Sequence, residues 1–134
     1  MNQKLVDIAF FLLRVVTGFL FIQFGGMKLF GWFGGMPGGP SPLMSQVGIG
    51  GVLEFFGGAL ILLGLFTRPV AFILSGEMAV AYLQFHQPRG AWPIQNQGAP
   101  AVLFCFIFLF MAAYGGGAWS LDALIRRKRG STTG

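Results

Sequence analysis

Residues 5–33 read LVDIAFFLLRVVTGFLFIQFGGMKLFGWF, and this stretch decides the fold. It is longer than the roughly 20 apolar residues that a helix needs to cross a bilayer. A signal peptide would have a shorter apolar region and a small-residue cleavage site after it, and neither is present here. We therefore expect a membrane-spanning helix that is retained in the mature protein.

The rest of the chain has the same apolar character. Of its 134 residues, 54% are hydrophobic and 10% are charged, against roughly 25% charged residues in an ordinary soluble domain. A soluble protein this short could not bury so much apolar surface. Further apolar segments at 47–66, 69–87 and 97–114 are separated by Gly- and Pro-rich breaks. The sequence predicts one all-α domain, 1–134, a transmembrane four-helix bundle with a short surface helix and basic tail at 119–134.

Basic residues predict the orientation of the spans. With four spans, the two termini and the 67–69 turn share one side, which carries Lys4, Arg68 and the basic run at 126–129. The other side carries Arg89 and Lys28. Cytoplasmic flanks are enriched in Lys and Arg, so we expect a multi-pass inner membrane protein with cytoplasmic termini. Beside an apolar segment, the basic run favours contact with anionic lipid headgroups over nucleic acid.

Several ionisable residues fall inside the predicted spans. Arg14, Glu54 and Glu77 lie deep, and Lys28 is shallower. A charge near the bilayer centre costs on the order of 2.5 kcal/mol or more, so these groups should face the protein interior and meet partners. We hypothesise that Arg14 pairs with Glu77, and that Glu54 reaches Arg14, Gln23 or Lys28.

Two interpretations of this polar cluster stay open. It is a clamp that holds four helices in register, or it lines a cavity for a polar headgroup or a proton. Near the outer end of the third span, Gln84 and His86 could add a polar mouth, although a single His at a span end is also typical of an interfacial residue. The candidate ligand or proton-site residues are Arg14, Lys28, Glu54, Glu77, Gln84 and His86.

Catalytic and metal chemistry have little support in the sequence. The single cysteine, Cys105, forms no internal disulfide and no CxxC motif. No metal-ligand cluster, phosphate-binding loop or nucleophile elbow occurs. We therefore expect no catalytic residues, no metal and no covalently bound cofactor.

The motifs together resemble the DoxX family of small four-span membrane proteins. In chain order they are Leu13-Arg14-Val15-Val16-Thr17-Gly18, Gly25-Gly26-Met27-Lys28-Leu29, Glu54, Gly57-Gly58, Leu63-Gly64-Leu65-Phe66-Thr67-Arg68, Gly76-Glu77-Met78-Ala79-Val80-Ala81, His86, Asn96-Gln97-Gly98 and Trp119-Ser120-Leu121-Asp122. Where relatives often have an acidic residue after Asn-Gly-Gly, this chain has Gln97-Gly98-Ala99-Pro100.

The resemblance implies an accessory role in redox chemistry. Relatives include a subunit of thiosulfate:quinone oxidoreductase and a partner in a membrane oxidoreductase complex. The expected function is an accessory subunit of a respiratory or other redox complex, not catalytic on its own, with a quinone or lipid headgroup site and with lipids and other membrane subunits as partners. The alternatives are a purely structural subunit and a small oligomeric transporter or proton path.

Overall fold

The computed structural model describes residues 2–133, with side chains through residue 129. Helices make up 79% of the structure, and the described residues contain no strand, which confirms the all-α class. In chain order the helices are α1 (Gln3–Phe30), α2 (Gln46–Leu63), α3 (Thr67–Ala81), α4 (Pro93–Asn96), α5 (Ala99–Tyr114) and α6 (Leu121–Thr133).

Two of these helices are long and apolar enough to cross a membrane, namely α1 and α2. The 28 residues of α1 extend about 42 Å, more than the ~30 Å hydrocarbon core. The 15 residues of α3 continue into a five-residue π-helical turn, Tyr82–His86. Helix α5 is apolar but has only 16 residues, so a four-span bundle is not confirmed by helix length.

Local signals set the helix ends. The Asn2 side chain caps α1 by accepting from the Lys4 backbone N–H at 2.9 Å, and α1 ends at Gly31, whose φ is +76°. Residues 31–33, expected inside the first span, therefore lie beyond the helix. Helix α2 begins after the Ser45 cap and ends at Gly64 in a left-handed turn.

Glycines bring α1 and α2 into close contact. A Cβ atom on Gly18 would lie 2.6 Å from the carbonyl oxygen of Gly58, and a Cβ on Gly58 would lie 2.8 Å from that of Gly18. The two backbones can approach this closely only because both positions lack a side chain. The buried face of α1 contains Arg14, Gly18, Phe21 and Gly25, which follow one another at intervals of three or four residues and so lie on one side of the helix.

The chain divides into two compact units. Unit 1 runs to Thr67 and resumes at Gly116, so that α1, α2 and α6 belong to it. Unit 2 is Arg68–Gly115. The surface helix is longer than expected, since α6 takes in the basic run and continues to Thr133; Gly134 lies outside the described residues.

Candidate functional site

A buried ion pair joins α1 to α2. The Lys28 Nζ donates to both carboxylate oxygens of Glu54, at 2.8 and 2.7 Å. The Glu54 side chain is 3% exposed and that of Lys28 is 21% exposed. Of the three partners expected for Glu54, the structure selects Lys28, and the pair leaves little net charge at this point of the helix interface.

Among the residues that the structure describes, the hydrogen bonds of Arg14 go to backbone carbonyls. Its Nε donates to the carbonyl of Ile61 at 3.0 Å and its Nη2 to that of Leu62 at 3.2 Å. Its Nη1 donates to the carbonyls of Gly116, at 2.8 Å, and Trp119, at 3.0 Å. The last carbonyls of a helix lack partners within the helix, so the guanidinium caps the C-terminus of α2 and favours its negative dipole end.

The hydrogen bonds described for the Arg14 guanidinium go to carbonyl oxygens within unit 1. The expected pair with Glu77, which belongs to unit 2, stays a prediction. The expected single cluster also separates within unit 1. Arg14 and Lys28 are 14 positions apart on α1, or about 21 Å along its axis. The sequence does not indicate which carbonyls bind Arg14, since every position of a chain carries a carbonyl.

Asp122 connects the start of α6 to the turn after α2. Its carboxylate accepts from the backbone N–H groups of Phe66 at 2.8 Å and Thr67 at 2.9 Å, while its own N–H donates to the carbonyl of Gly64 at 3.0 Å. Burial acts to raise the pKa of this carboxyl, but the two N–H donors and the charge of Arg126 outweigh it and hold the pKa below its ordinary value.

An open groove of about 550 Å³ lies in unit 1, between α1, the end of α2 and α6. Its walls are mainly apolar, and Arg14 and Arg127 line it as well. Trp119, also in the lining, packs edge-on against Phe11 with ring centroids 5.4 Å apart. The groove was not predictable from the sequence, because the groove depends on how α6 folds back beside α1.

Unit 2 holds a second polar arrangement, around the π-helical turn. The His86 Nδ1 lies 3.1 Å from the carbonyl oxygen of Asn96. The buried Asn96 side chain donates to the Tyr82 hydroxyl at 3.3 Å and to the Gly90 carbonyl at 3.1 Å, and it accepts from the Gly98 N–H at 2.9 Å. The hydrogen bonds of Asn96 thus fix the backbone just before the first turn of α5.

Chemistry assigns the donor in the histidine contact. A carbonyl oxygen only accepts, so Nδ1 of His86 carries the proton and donates. In the neutral ring Nε2 is then the acceptor nitrogen. The Tyr82 oxygen accepts from Asn96, which leaves its own O–H as a donor.

The other candidates in unit 2 differ in exposure. Gln84 is exposed on the π-helical turn and Glu77 is half-buried on α3. Tyr82 was not among the predicted site residues, although its spacing of four residues before His86 indicated a shared helix face. The rings of Tyr82 and His86 lie 6.3 Å apart at an interplanar angle of 27°.

Comparisons with known proteins identify the family of this chain. A model of the DoxX family matches residues 9–87, more than half of the chain. An uncharacterized protein of Haemophilus influenzae is 40% identical over 82% of this chain and 85% of its own length. The inner membrane protein YqjF of Escherichia coli is 30% identical over 94% of this chain and 98% of its own length. No solved structure matches. The chain is therefore a membrane protein and belongs to the DoxX family.

Proposed function

We propose that this protein is an accessory subunit of a respiratory or other membrane redox complex, and that Tyr82 and His86 bind the headgroup of a quinone or quinol. The observation that carries this proposal is the hydrogen bond from His86 Nδ1 to the Asn96 carbonyl. It fixes which ring nitrogen accepts, and so makes a polar arrangement with defined donor and acceptor atoms.

The two side chains fit the chemistry of a quinol. A hydroxyl of the reduced ring can donate to the His86 Nε2, and an oxygen of either redox state can accept from the Tyr82 hydroxyl. Both side chains are half-buried, so a ring can reach them from the membrane.

The proposed site differs from the cluster that the sequence suggested. In unit 1, the guanidinium of Arg14 is engaged by four carbonyls, and Lys28 and Glu54 engage each other. The hydrogen-bond donors of Arg14 and Lys28 are accordingly already engaged within unit 1. The proposal for a ligand therefore moves to unit 2, where His86 was one of the original candidates.

Quinone retention tests the proposal directly. The protein is extracted from its native membrane with a lipid-nanodisc polymer, and bound quinone per chain is measured by mass spectrometry together with any retained protein partners. We expect His86→Leu and Tyr82→Phe to lower the quinone content at least fivefold. Tyr114→Phe is the matched control, because it removes the hydroxyl of the chain's other tyrosine.

The outcomes separate the proposal from its alternative. Quinone that is absent from the wild type, or that is unaffected by His86→Leu and Tyr82→Phe, contradicts the headgroup site. A protein that also comes out without partner chains, and whose deletion leaves the host's respiration unchanged, contradicts the role in a redox complex.

The structural alternative has one specific observation in its favour. The hydrogen bonds of Arg14 serve to join α1, the end of α2 and the segment before α6, and none requires a ligand. A purely structural subunit would be isolated with stable partner chains but without quinone, and the His86→Leu variant would assemble normally.

We also propose a multi-pass topology in the cell's inner membrane, with both termini in the cytoplasm. Helices α1 and α2 meet the length requirement, and α3 is extended by the π-helical turn. The basic residues of α6 support a cytoplasmic C-terminus. The relative YqjF is named as an inner membrane protein.

A further inference from the structure

The groove in unit 1 combines an apolar wall with cationic groups. Phe11, Leu62, Leu63 and Leu124 supply apolar side chains, and Arg14 and Arg127 supply guanidinium groups. Leu63 and Leu124 are 47% and 44% exposed, so the apolar wall is open to an occupant. The volume of about 550 Å³ falls within the range of roughly 300–1,000 Å³ found for small-molecule sites.

The charge of Arg14 is poorly compensated at this place. Its side chain is 2% exposed, and all four acceptors of its hydrogen bonds are carbonyl oxygens, which carry no formal charge. The nearby carboxylate of Asp122 is engaged by the N–H groups of Phe66 and Thr67. A buried cation in a medium of low dielectric attracts an anion strongly.

Arg127 is positioned to meet that anion at the groove. Its Nη2 donates to the carbonyl of Ala118 at 2.9 Å, which anchors the guanidinium at one nitrogen. A guanidinium carries five N–H donors in a planar fork, and this fork matches the geometry of a phosphate. The side chain is exposed, so the remaining donors can reach a headgroup.

We propose that this groove binds one anionic phospholipid, with its phosphate at Arg127 and an acyl chain along Phe11, Leu63 and Leu124. Charge complementarity decides the occupant: two guanidinium groups line the groove, and α6 carries three further basic residues at positions 126, 128 and 129. A neutral lipid would satisfy the apolar wall but bring no negative charge to the guanidinium groups.

Lipid titration of the purified protein tests this site. The protein is delipidated in a neutral detergent, and the binding of phosphatidylglycerol and phosphatidylcholine is measured by native mass spectrometry. We expect one phosphatidylglycerol per chain, bound at least tenfold more tightly than phosphatidylcholine. Arg127→Gln should weaken phosphatidylglycerol binding about tenfold, or about 1.4 kcal/mol.

Arg129→Gln is the matched control, since it removes the same charge from the same helix at a position outside the groove lining. We expect it to change the affinity less than twofold. Equal losses in the two variants would show a diffuse attraction to the basic run and overturn the site. Equal binding of both lipids by the wild type would also overturn it.

A second pair of variants probes the apolar wall and does not depend on Arg127. Leu124→Asp places a negative charge inside the groove, whereas Ile125→Asp places it on the neighbouring position outside the lining. We expect only Leu124→Asp to weaken phosphatidylglycerol binding tenfold or more. A partner protein chain that crosslinks to position 124 in native membranes, in place of lipid, would contradict the proposal.

Discussion

Buried charges are stabilised in two different ways in this protein. Glu54 is neutralised by the ammonium of Lys28, whereas Arg14 binds dipoles at the end of α2 and in the 116–119 segment. The first arrangement depends on a pair of side chains and the second on one side chain and the backbone. Substitutions should therefore affect the two arrangements differently.

The Lys28–Glu54 pair should show strong coupling. Lys28→Met removes the ammonium from the buried Glu54 carboxylate and should lower the free energy of unfolding by about 2–3 kcal/mol, below the 3–5 kcal/mol of fully buried pairs because Lys28 is partly exposed. The double variant Lys28→Met/Glu54→Leu should regain most of this loss. Thermal unfolding in detergent measures both, and additive effects of the single changes would refute the coupling.

Replacement of Arg14 by lysine should destabilise the protein, although the positive charge is kept. A lysine carries its three donors on a single nitrogen and cannot reproduce the guanidinium fork, whose three nitrogens bind four carbonyls, so Arg14→Lys should cost about 2–4 kcal/mol of unfolding free energy. Arg68→Lys is the matched control, since Arg68 is exposed and donates to the Ala113 carbonyl at 3.1 Å. Its cost should stay under about 1 kcal/mol. Similar unfolding temperatures for both variants would contradict the role of the Arg14 fork.

The cost of burying a charge predicted that Arg14 and Glu54 face the protein interior, and Lys28 was one of the three partners expected for Glu54. The carbonyl partners of Arg14, and the hydrogen bonds of Asp122 with Phe66 and Thr67, were not predicted. Backbone groups are available at every position, so only the folded path of the chain selects among them.

Among the elements, the α1–α2 interface depends on the absence of side chains. A methyl group on Gly18 would collide with the backbone of α2, so Gly18→Ala should lower the unfolding free energy by about 1–3 kcal/mol. Gly76→Ala is the control, because a Cβ at this helical position meets nothing within 4 Å and should stabilise by about 0.5–1 kcal/mol. Equal effects of the two alanines in thermal unfolding would argue against close packing at Gly18.

The junction between α6 and the 64–67 turn should depend on pH. The pKa of Asp122 is lower in the folded protein than its unfolded value of about 3.9. Its stabilising contribution is therefore complete above that value and is lost as the pH falls through the folded pKa. Because the carboxyl is partly exposed, the effect should stay within about 1 kcal/mol.

Asp122→Asn provides the check on this dependence. It removes the charge at every pH, so the variant should be less stable than wild type at pH 7 and should approach it below pH 4. Detachment of α6 is measured as the rate of limited proteolysis after residue 120. A wild type and variant that differ equally at pH 7 and pH 3 would exclude Asp122 as the titrating group.

At the scale of the whole molecule, the sequence predicted helix positions better than helix lengths. The four apolar segments are helical, but α1 ends at Phe30, three residues early, and the third segment changes to a π-helical turn at Tyr82. The left-handed conformation of Gly31 explains the first difference. The sequence pattern of the third segment did not indicate the second.

The proposed topology gives a prediction for the complete chain. A fluorescent protein fused to the C-terminus should fold and fluoresce, since this requires a cytoplasmic location, while alkaline phosphatase fused there should be inactive. After residue 38, an inserted fluorescent protein should not fluoresce and an inserted alkaline phosphatase should be active. Because Cys105 is the chain's single cysteine, a Cys105→Ser background with cysteines at residues 2 and 38 tests the same assignment by labelling from outside the cell.

The Lys28–Glu54 pair has a consequence for biogenesis. A translocon that released α1 into lipid alone would expose a lysine, and α2 alone would expose a glutamate, each without the charge that neutralises it, and a charged side chain in lipid is costly. Joined by hydrogen bonds at 2.7 and 2.8 Å, the two helices can leave the aqueous channel with this pair of charges neutralised. Synthesis of residues 46–63 then becomes a condition for stable integration of residues 3–30.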